Sequence, residues 1–375
     1  MYIPGEYIDD EIFDEFEEWY ELQTGKTVEV VTPTTFDTVE QIITAVERDH
    51  ADYDLVMPSD YAVEQLIKKN LLLKVERVDV EQTFMSDYVE LAKISDPTLE
   101  YSVPYMYGTF GLMYDYSKTN AHIDSWSAIF TNEYNQASAN KDSLREAMTS
   151  AAIWANREEL SSLSNGFTDY NDAYKAKLQS IYGDVSDNAI ERAKSALNAA
   201  RGFNKIWGGE DLKFEMAAGS SSIKVALMWS CDAGYVMNSY EDADGNEKAG
   251  NRNLWYVVPK EGGNVYLDSF VISKYAKNVE AAQYFLEFIC QKEIAMTNSA
   301  YAGAISPVAE AYRQLESDYS AELSNEVDID EAWKDMYLDM LFPSAETLAR
   351  CGTMRAYGDN DAKVTLAWSD VRHSS

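Results

Sequence analysis

Early in the chain, a short β-rich run is twice set ahead of an amphipathic helical run. KTVEVVT at 26–32 precedes a helical stretch expected from Thr38 to Arg48, and YDLVMP at 53–58 precedes SDYAVEQLIKKN at 59–70. Val39, Ile42, Ile43 and Val46 recur at helical spacing in the first of these helices. Pro58 stops the second β-rich run, and Ser59 or Asp60 is placed to cap the helix that follows. A helix over 9–22, DDEIFDEFEEWYEL, comes first, with Ile12, Phe16, Trp19 and Tyr20 on one face, Asp9 and Asp10 suited to its start, and Gly25 able to end it. Strand followed by helix, repeated, predicts an α/β layer built on a largely parallel sheet.

That pattern is then interrupted. YSVPYMYGTFGLMYDYSK at 101–118 is aromatic, extended and punctuated by glycine, and residues 126–215 are mostly helical in pattern. Strand character returns at IKVALMW (223–229) and again in LWYVVPKEGGNVYLDSFVIS (254–273). A long amphipathic helix is expected in VEAAQYFLEFICQKEIAMTNSA, with Ala281, Phe285, Phe288 and Ile289 inward. A first α/β unit interrupted by a second, with the chain returning near 268–272, predicts two lobes able to open and close around a small-molecule gap.

Composition narrows the chemistry. With 375 residues, 46% of them hydrophobic, the chain is long enough for two lobes, each with a core. It carries 64 acidic against 31 basic residues, a formal net charge of -33, so nucleic acid is not an expected partner. Small cations are drawn by such a field, although an acidic surplus also suits a merely soluble surface. Three cysteines (Cys231, Cys290, Cys351) and three histidines (His50, His122, His373) show no metal-ligand spacing, and neither metal nor cofactor is expected. No apolar run reaches the roughly 18 residues of a membrane-spanning helix. The opening MYIPGEYIDDEIF already reads as folded sequence, as expected of a chain trimmed of its leader.

GTFG at 108–111 lacks the rest of a nucleotide fingerprint, no GxSxG elbow is present, and DADGNE at 242–247 fails the ligand spacing of a calcium loop and reads as a solvated hairpin turn. Glu146 and Asp268 could act as a general acid and base, but nothing marks a nucleophile or oxyanion donor beside them. The repeated feature is a meeting of aromatics and carboxylates at element ends: GEY (5–7), SDY (59–61), MWSCD (228–232) and VYLD (265–268). In the third, Trp229 stands three positions before Asp232, just past the apolar run VALMW. A carboxylate suits an ammonium by charge and hydrogen bonding. A ring face adds cation–π attraction of roughly 0.5 to 2 kcal/mol and a wall for methylene groups. Such pairs point to a small organic cation.

At this point the chain resembles the extracytoplasmic polyamine-binding proteins of ABC importers for spermidine and putrescine. The likeness runs through YDLVMPSDYAVEQL (53–66), YSVPYMYGTFGLMYD (101–115), SWSAIF (125–130), DSLREAM (142–148), VALMWSCDA (225–233), VPKEGGNVYLDSFVI (258–272) and FPSAET (342–347), in order along nearly the whole length. The resemblance implies a type II periplasmic-binding-protein-like α/β fold: two lobes, a hinge, and a ligand cleft between them. Lobe 1 is expected over 1–110 and 264–305, and lobe 2 over 111–263 and 306–375. It implies a binding protein rather than an enzyme, monomeric, which delivers a polyamine to a membrane permease. That places it on the periplasmic or extracellular face of the membrane, lipid-anchored or fused to a membrane segment in the full-length protein.

By position, the resemblance makes Tyr7, Tyr61 and Trp229 lining aromatics and Ser59 a polar contact. Glu146, Asp232 and Asp268 become carboxylates for ammonium groups, and Tyr266 stands in for a tryptophan two places before the last of these. Pro4 replaces a tryptophan of the first-lobe turn, Val39 an asparagine, and Ser143 an acidic residue of the spermidine-type members. These departures thin a spermidine-like site, while Asp232 pulls toward putrescine. Another cargo on the same fold (an amino acid, an opine-like amine, a sugar) and an enzyme using the same acids both stay open.

Overall fold

The computed structural model describes residues 1–5, 7–31, 33–36, 39–48, 50–209, 211–238, 240–241 and 245–373, with the side chains of 240 and 241 excepted. Thr38, where the second helix was expected to begin, Glu6 of GEY and positions 242–244 of DADGNE lie outside the described residues. The chain divides into two compact units, Met1–Tyr107 with Tyr266–Ser324, and Gly108–Val265 with Asn325–Ser375. The strand Ser102–Asp115 carries the chain out of the first unit, and the strand Gly263–Ser273 brings it back.

In the first unit, Tyr2–Pro4 pairs in parallel with Thr34–Phe36 and with Leu55–Val56, and Val271 and Ile272 pair antiparallel to Val56 and Leu55. The helices Val39–Glu47 and Asp60–Lys68 pack on this sheet through Ile42, Val46, Val63 and Leu66, all fully buried. The helix Glu11–Thr24 ends at Gly25, whose φ of 70° is a left-handed conformation that a side chain would strain.

Residues 26–31 of KTVEVVT do not form the expected strand, and Thr32 lies outside the described residues. The Val30 N–H donates to Glu17 Oε1 at 2.7 Å, and the sheet pairing begins only at Thr34. The expected long helix after Val279 breaks at Cys290 and Gln291 into Val279–Ile289 and Lys292–Ala302, with Phe285, Phe288 and Ile289 buried. Residues 306–324, assigned from sequence to the second lobe, cluster with the first unit. The reason is an aromatic stack: Tyr312 lies 5.9 Å from Tyr88 and 6.0 Å from Tyr107, ring centre to ring centre.

In the second unit, Val225–Trp229 runs antiparallel to the Phe110–Tyr114 stretch and parallel to Ser138–Lys141, which pairs in turn with Ile206–Gly208. Leu254–Val257 covers the other edge of residues 112–115. GTFG owes its last glycine to packing, because a Cβ on Gly111 would stand 2.1 Å from the Val257 carbonyl oxygen. Helices Leu144–Ala155 and Asp187–Phe203 pack against each other on this sheet.

Candidate functional site: two carboxylates with opposite partners

The first unit assembles a carboxylate site where a helix start meets a strand. Ser59 has the extended backbone of a helix N-cap, yet its side chain makes no capping bond. Its hydroxyl instead donates to Asp268 Oδ1 at 2.6 Å, and the Tyr7 hydroxyl donates to Asp268 Oδ2 at 3.0 Å. The backbone fixes this approach, since Ser269 N–H donates to the Pro58 carbonyl at 3.1 Å. Beneath it, Tyr105 donates to the Tyr7 carbonyl at 2.9 Å and packs edge-on to Tyr7 and Phe270.

Burial pushes the Asp268 carboxyl above the usual carboxylate range, and the hydrogen bonds from Ser59 and Tyr7 hold it back in part. No lysine, arginine or histidine pairs with Asp268 among the described residues. Such a carboxylate is poised for an incoming cation. Tyr266, buried, lies two places earlier on the same face of the strand. Tyr61 sits in the first turn after Ser59, buried, and its hydroxyl donates to Glu40 Oε1 at 3.3 Å, so its polar end is aimed at a different acid from Asp268.

In the second unit, Trp229 closes its strand and leads directly into the helix Ser230–Met237. MWSCD is therefore a strand-to-helix junction, and Asp232 lies in the first helical turn, where the helix dipole favours a negative charge. Trp229 stands opposite Phe110 in the sheet, with the rings edge-on at 5.4 Å.

Asp232 is already answered from within the unit. Lys213 Nζ lies 2.6 Å from Oδ1, and Lys141 Nζ 3.8 Å from Oδ2. The Lys141 side chain is 2% exposed, a burial lysine tolerates only beside a counter-charge. Glu146 differs again. It sits in the first turn of Leu144–Ala155 and accepts a hydrogen bond from the Ser143 hydroxyl. Neighbouring Arg145 turns to Asp361 at 3.4 Å and stacks on Tyr357. Among the described residues no cation pairs with Glu146.

Sequence reasoning found Asp268, Ser59 and Tyr7, which the first unit brings together, but missed Lys141, Lys213 and Tyr105. Lys141 directly precedes the DSLREAM run at a strand end, a usable signal. Nothing local marks Lys213, which meets Asp232 only through the packing of the helices Leu212–Ala217 and Ser230–Met237.

A two-unit α/β fold and a half-buried carboxylate with hydroxyl partners but no cation among the described residues suit a small-solute-binding protein. The family model for bacterial extracellular solute-binding proteins matches residues 11–328, and the chain belongs to that family. It is thus a binding protein rather than an enzyme, one that carries a small molecule in partnership with a membrane transporter. The putrescine/agmatine-binding protein of Pseudomonas aeruginosa is 24% identical over 331 residues, covering 82% of this chain and 83% of that one. The spermidine/putrescine-binding periplasmic protein of Salmonella typhimurium is 24% identical over 311 residues, 83% of this chain and 74% of that one. Among solved structures, the spermidine/putrescine ABC transporter substrate-binding protein PotD from Streptococcus pneumoniae matches with a TM-score of 0.69 at 22% identity, covering 99% of this chain and 96% of that one. The fold is the type II periplasmic-binding-protein-like one expected from the resemblance. No helix among the described residues is long and apolar enough to cross a membrane.

Proposed function

We propose that this chain captures a short polyamine of the putrescine and spermidine class outside the cytoplasm and delivers it, as a monomer, to the permease of an ABC importer. It acts at the periplasmic or extracellular face of the membrane, held there by a lipid anchor or a fused membrane segment. The observation that carries the reading is Asp268, a carboxylate raised by burial, accepting from Ser59 and Tyr7 and lacking a cationic partner among the described residues. An ammonium supplies the missing charge and more hydrogen-bond donors. Tyr7, Ser59 and Tyr266 serve this ammonium site, Tyr61 adds an aromatic wall, Glu146 receives a further ammonium, and Trp229 lies along the methylene chain.

The reading is tested by calorimetric titration with putrescine, spermidine, cadaverine and agmatine. At least one is expected to bind, and Asp268→Ala is expected to weaken it by about 100-fold or more, as truncating one side of a buried charge pair does. The amine is recovered unchanged by mass spectrometry. Absence of binding by all four amines, or an Asp268→Ala variant that binds as the wild type does, overturns the polyamine assignment.

A further inference from the structure

The surroundings of Lys213 match what a ligand ammonium would require. Its Nζ lies 2.6 Å from a carboxylate oxygen of Asp232, 5.5 Å from the centre of the Tyr235 ring and 5.4 Å from that of Phe214. The sequence suggested a carboxylate with an aromatic wall for an organic cation at MWSCD, and around Lys213 the same carboxylate, Asp232, stands with the rings of Phe214 and Tyr235 in cation–π range. The lysine is only 18% exposed at its side chain and Asp232 11%, so the pair is largely withdrawn from water and not a loose surface contact.

We infer that Lys213 is a specificity-determining residue: its tethered ammonium occupies the Asp232 position and lowers by one the number of ammonium groups the protein takes from its solute. The inference rests on the polyamine reading above and deepens it. Of the three carboxylates that the polyamine reading gives to ammonium groups, Asp268 and Glu146 have no cationic partner among the described residues. A solute ammonium that reaches Asp232 meets Lys213 already seated there, and like charges repel. Lys141, whose Nζ lies 3.8 Å from Asp232 Oδ2, adds to the repulsion from farther off than Lys213.

The test is the ratio of spermidine to putrescine affinity, measured by calorimetry on the whole chain. Lys213→Met removes the charge while keeping nearly the same bulk, and Lys213→Gln serves the same purpose with a polar end. The ratio is expected to rise about tenfold toward spermidine in these variants, a moderate gain because Lys141 still faces Asp232. Lys213→Arg, which keeps the charge, is expected to return the ratio toward that of the wild type. A purely structural role would alter stability, or both affinities together, without moving the ratio. An unchanged ratio in variants that still bind putrescine overturns the inference while leaving the polyamine reading intact. A wild type that binds no amine overturns the reading beneath it instead.

Discussion

Asp268 and Asp232 are the same residue type, the first in the middle of the strand Gly263–Ser273 and the second in the first turn of the helix Ser230–Met237, and their surroundings are opposed. Asp268 is met by two hydroxyl donors and no cation among the described residues. Asp232 is met by two lysines. The first carboxylate is costly to keep charged in the empty protein, and the second is stabilised before any solute arrives. The two carboxylates are thus told apart less by burial than by what their neighbours have left undone. Hydroxyls orient Asp268 without neutralising it, whereas Lys213 does both to Asp232.

The contrast is broken most directly by making one substitution in both places. Asp232→Asn removes the counter-charge from Lys213 and Lys141, and is expected to destabilise the protein by about 2 to 3 kcal/mol, read by denaturant titration. Asp268→Asn removes a charge that no cation answers, while its amide still offers partners to Ser59 and Tyr7. It is expected to stabilise the ligand-free protein by about 1 kcal/mol while losing most amine affinity. If both variants shift stability in the same direction, the two carboxylates are not provisioned differently and the contrast collapses.

The two aspartates also mark what could be read in the sequence. Both were found there, because each stands beside an aromatic at the end of an apolar run, and that arrangement is local. The partners that separate them are not local. Ser59 reads in the sequence as helix cap or site residue alike, and its 2.6 Å bond to Asp268, 209 residues away, in place of a capping bond is visible only in the fold. Lys213 carried no pattern of its own. The strand–helix alternation of the first unit was legible from periodicity, but KTVEVVT was misread: its valines alternate as a strand should, yet its backbone turns to Glu17 before reaching the sheet. The break at Cys290 was hidden because the amphipathic pattern continues across it, and the placement of 306–324 depended on Tyr312 finding Tyr88 and Tyr107. Such contacts need the fold before they exist.

Acidity sharpens the comparison by a smaller effect. The folded-state pKa of Asp268 is raised by burial above its unfolded value. The ligand-free protein therefore holds this proton at pH values where the unfolded chain has released it. The resulting stabilisation is fully present below the unfolded pKa and is lost as pH rises through the folded one. Amine binding runs the other way, because it needs the carboxylate. Affinity is expected to rise with pH through the raised Asp268 pKa and then level off, with proton uptake by the buffer accompanying binding near the midpoint. Calorimetry in buffers of different ionisation heat measures that proton. A flat affinity profile across the acidic range would mean that Asp268 is already ionised throughout, or does not meet the amine.

Ser59→Ala gives the smallest expected change. The hydroxyl donates to Asp268 and forms no bond to the helix it precedes, so the variant should escape most of the roughly 1 kcal/mol that loss of a working N-cap costs. What it removes is one of two hydrogen bonds to the charged form of Asp268. A hydrogen bond to a charged group is worth roughly 1.5 to 3 kcal/mol where the charge is buried, and solvent or the bound ammonium recovers part of it. A loss of about fivefold to tenfold in amine affinity is therefore expected. Because that bond also holds the Asp268 pKa down, the rise of affinity with pH should move to higher pH in the same variant. The two measurements together separate the roles of Ser59. Lower affinity with a displaced pH profile identifies it as a partner of the carboxylate, whereas a drop in thermal stability with affinity and profile unchanged would return it to the ordinary work of ending a turn and starting a helix.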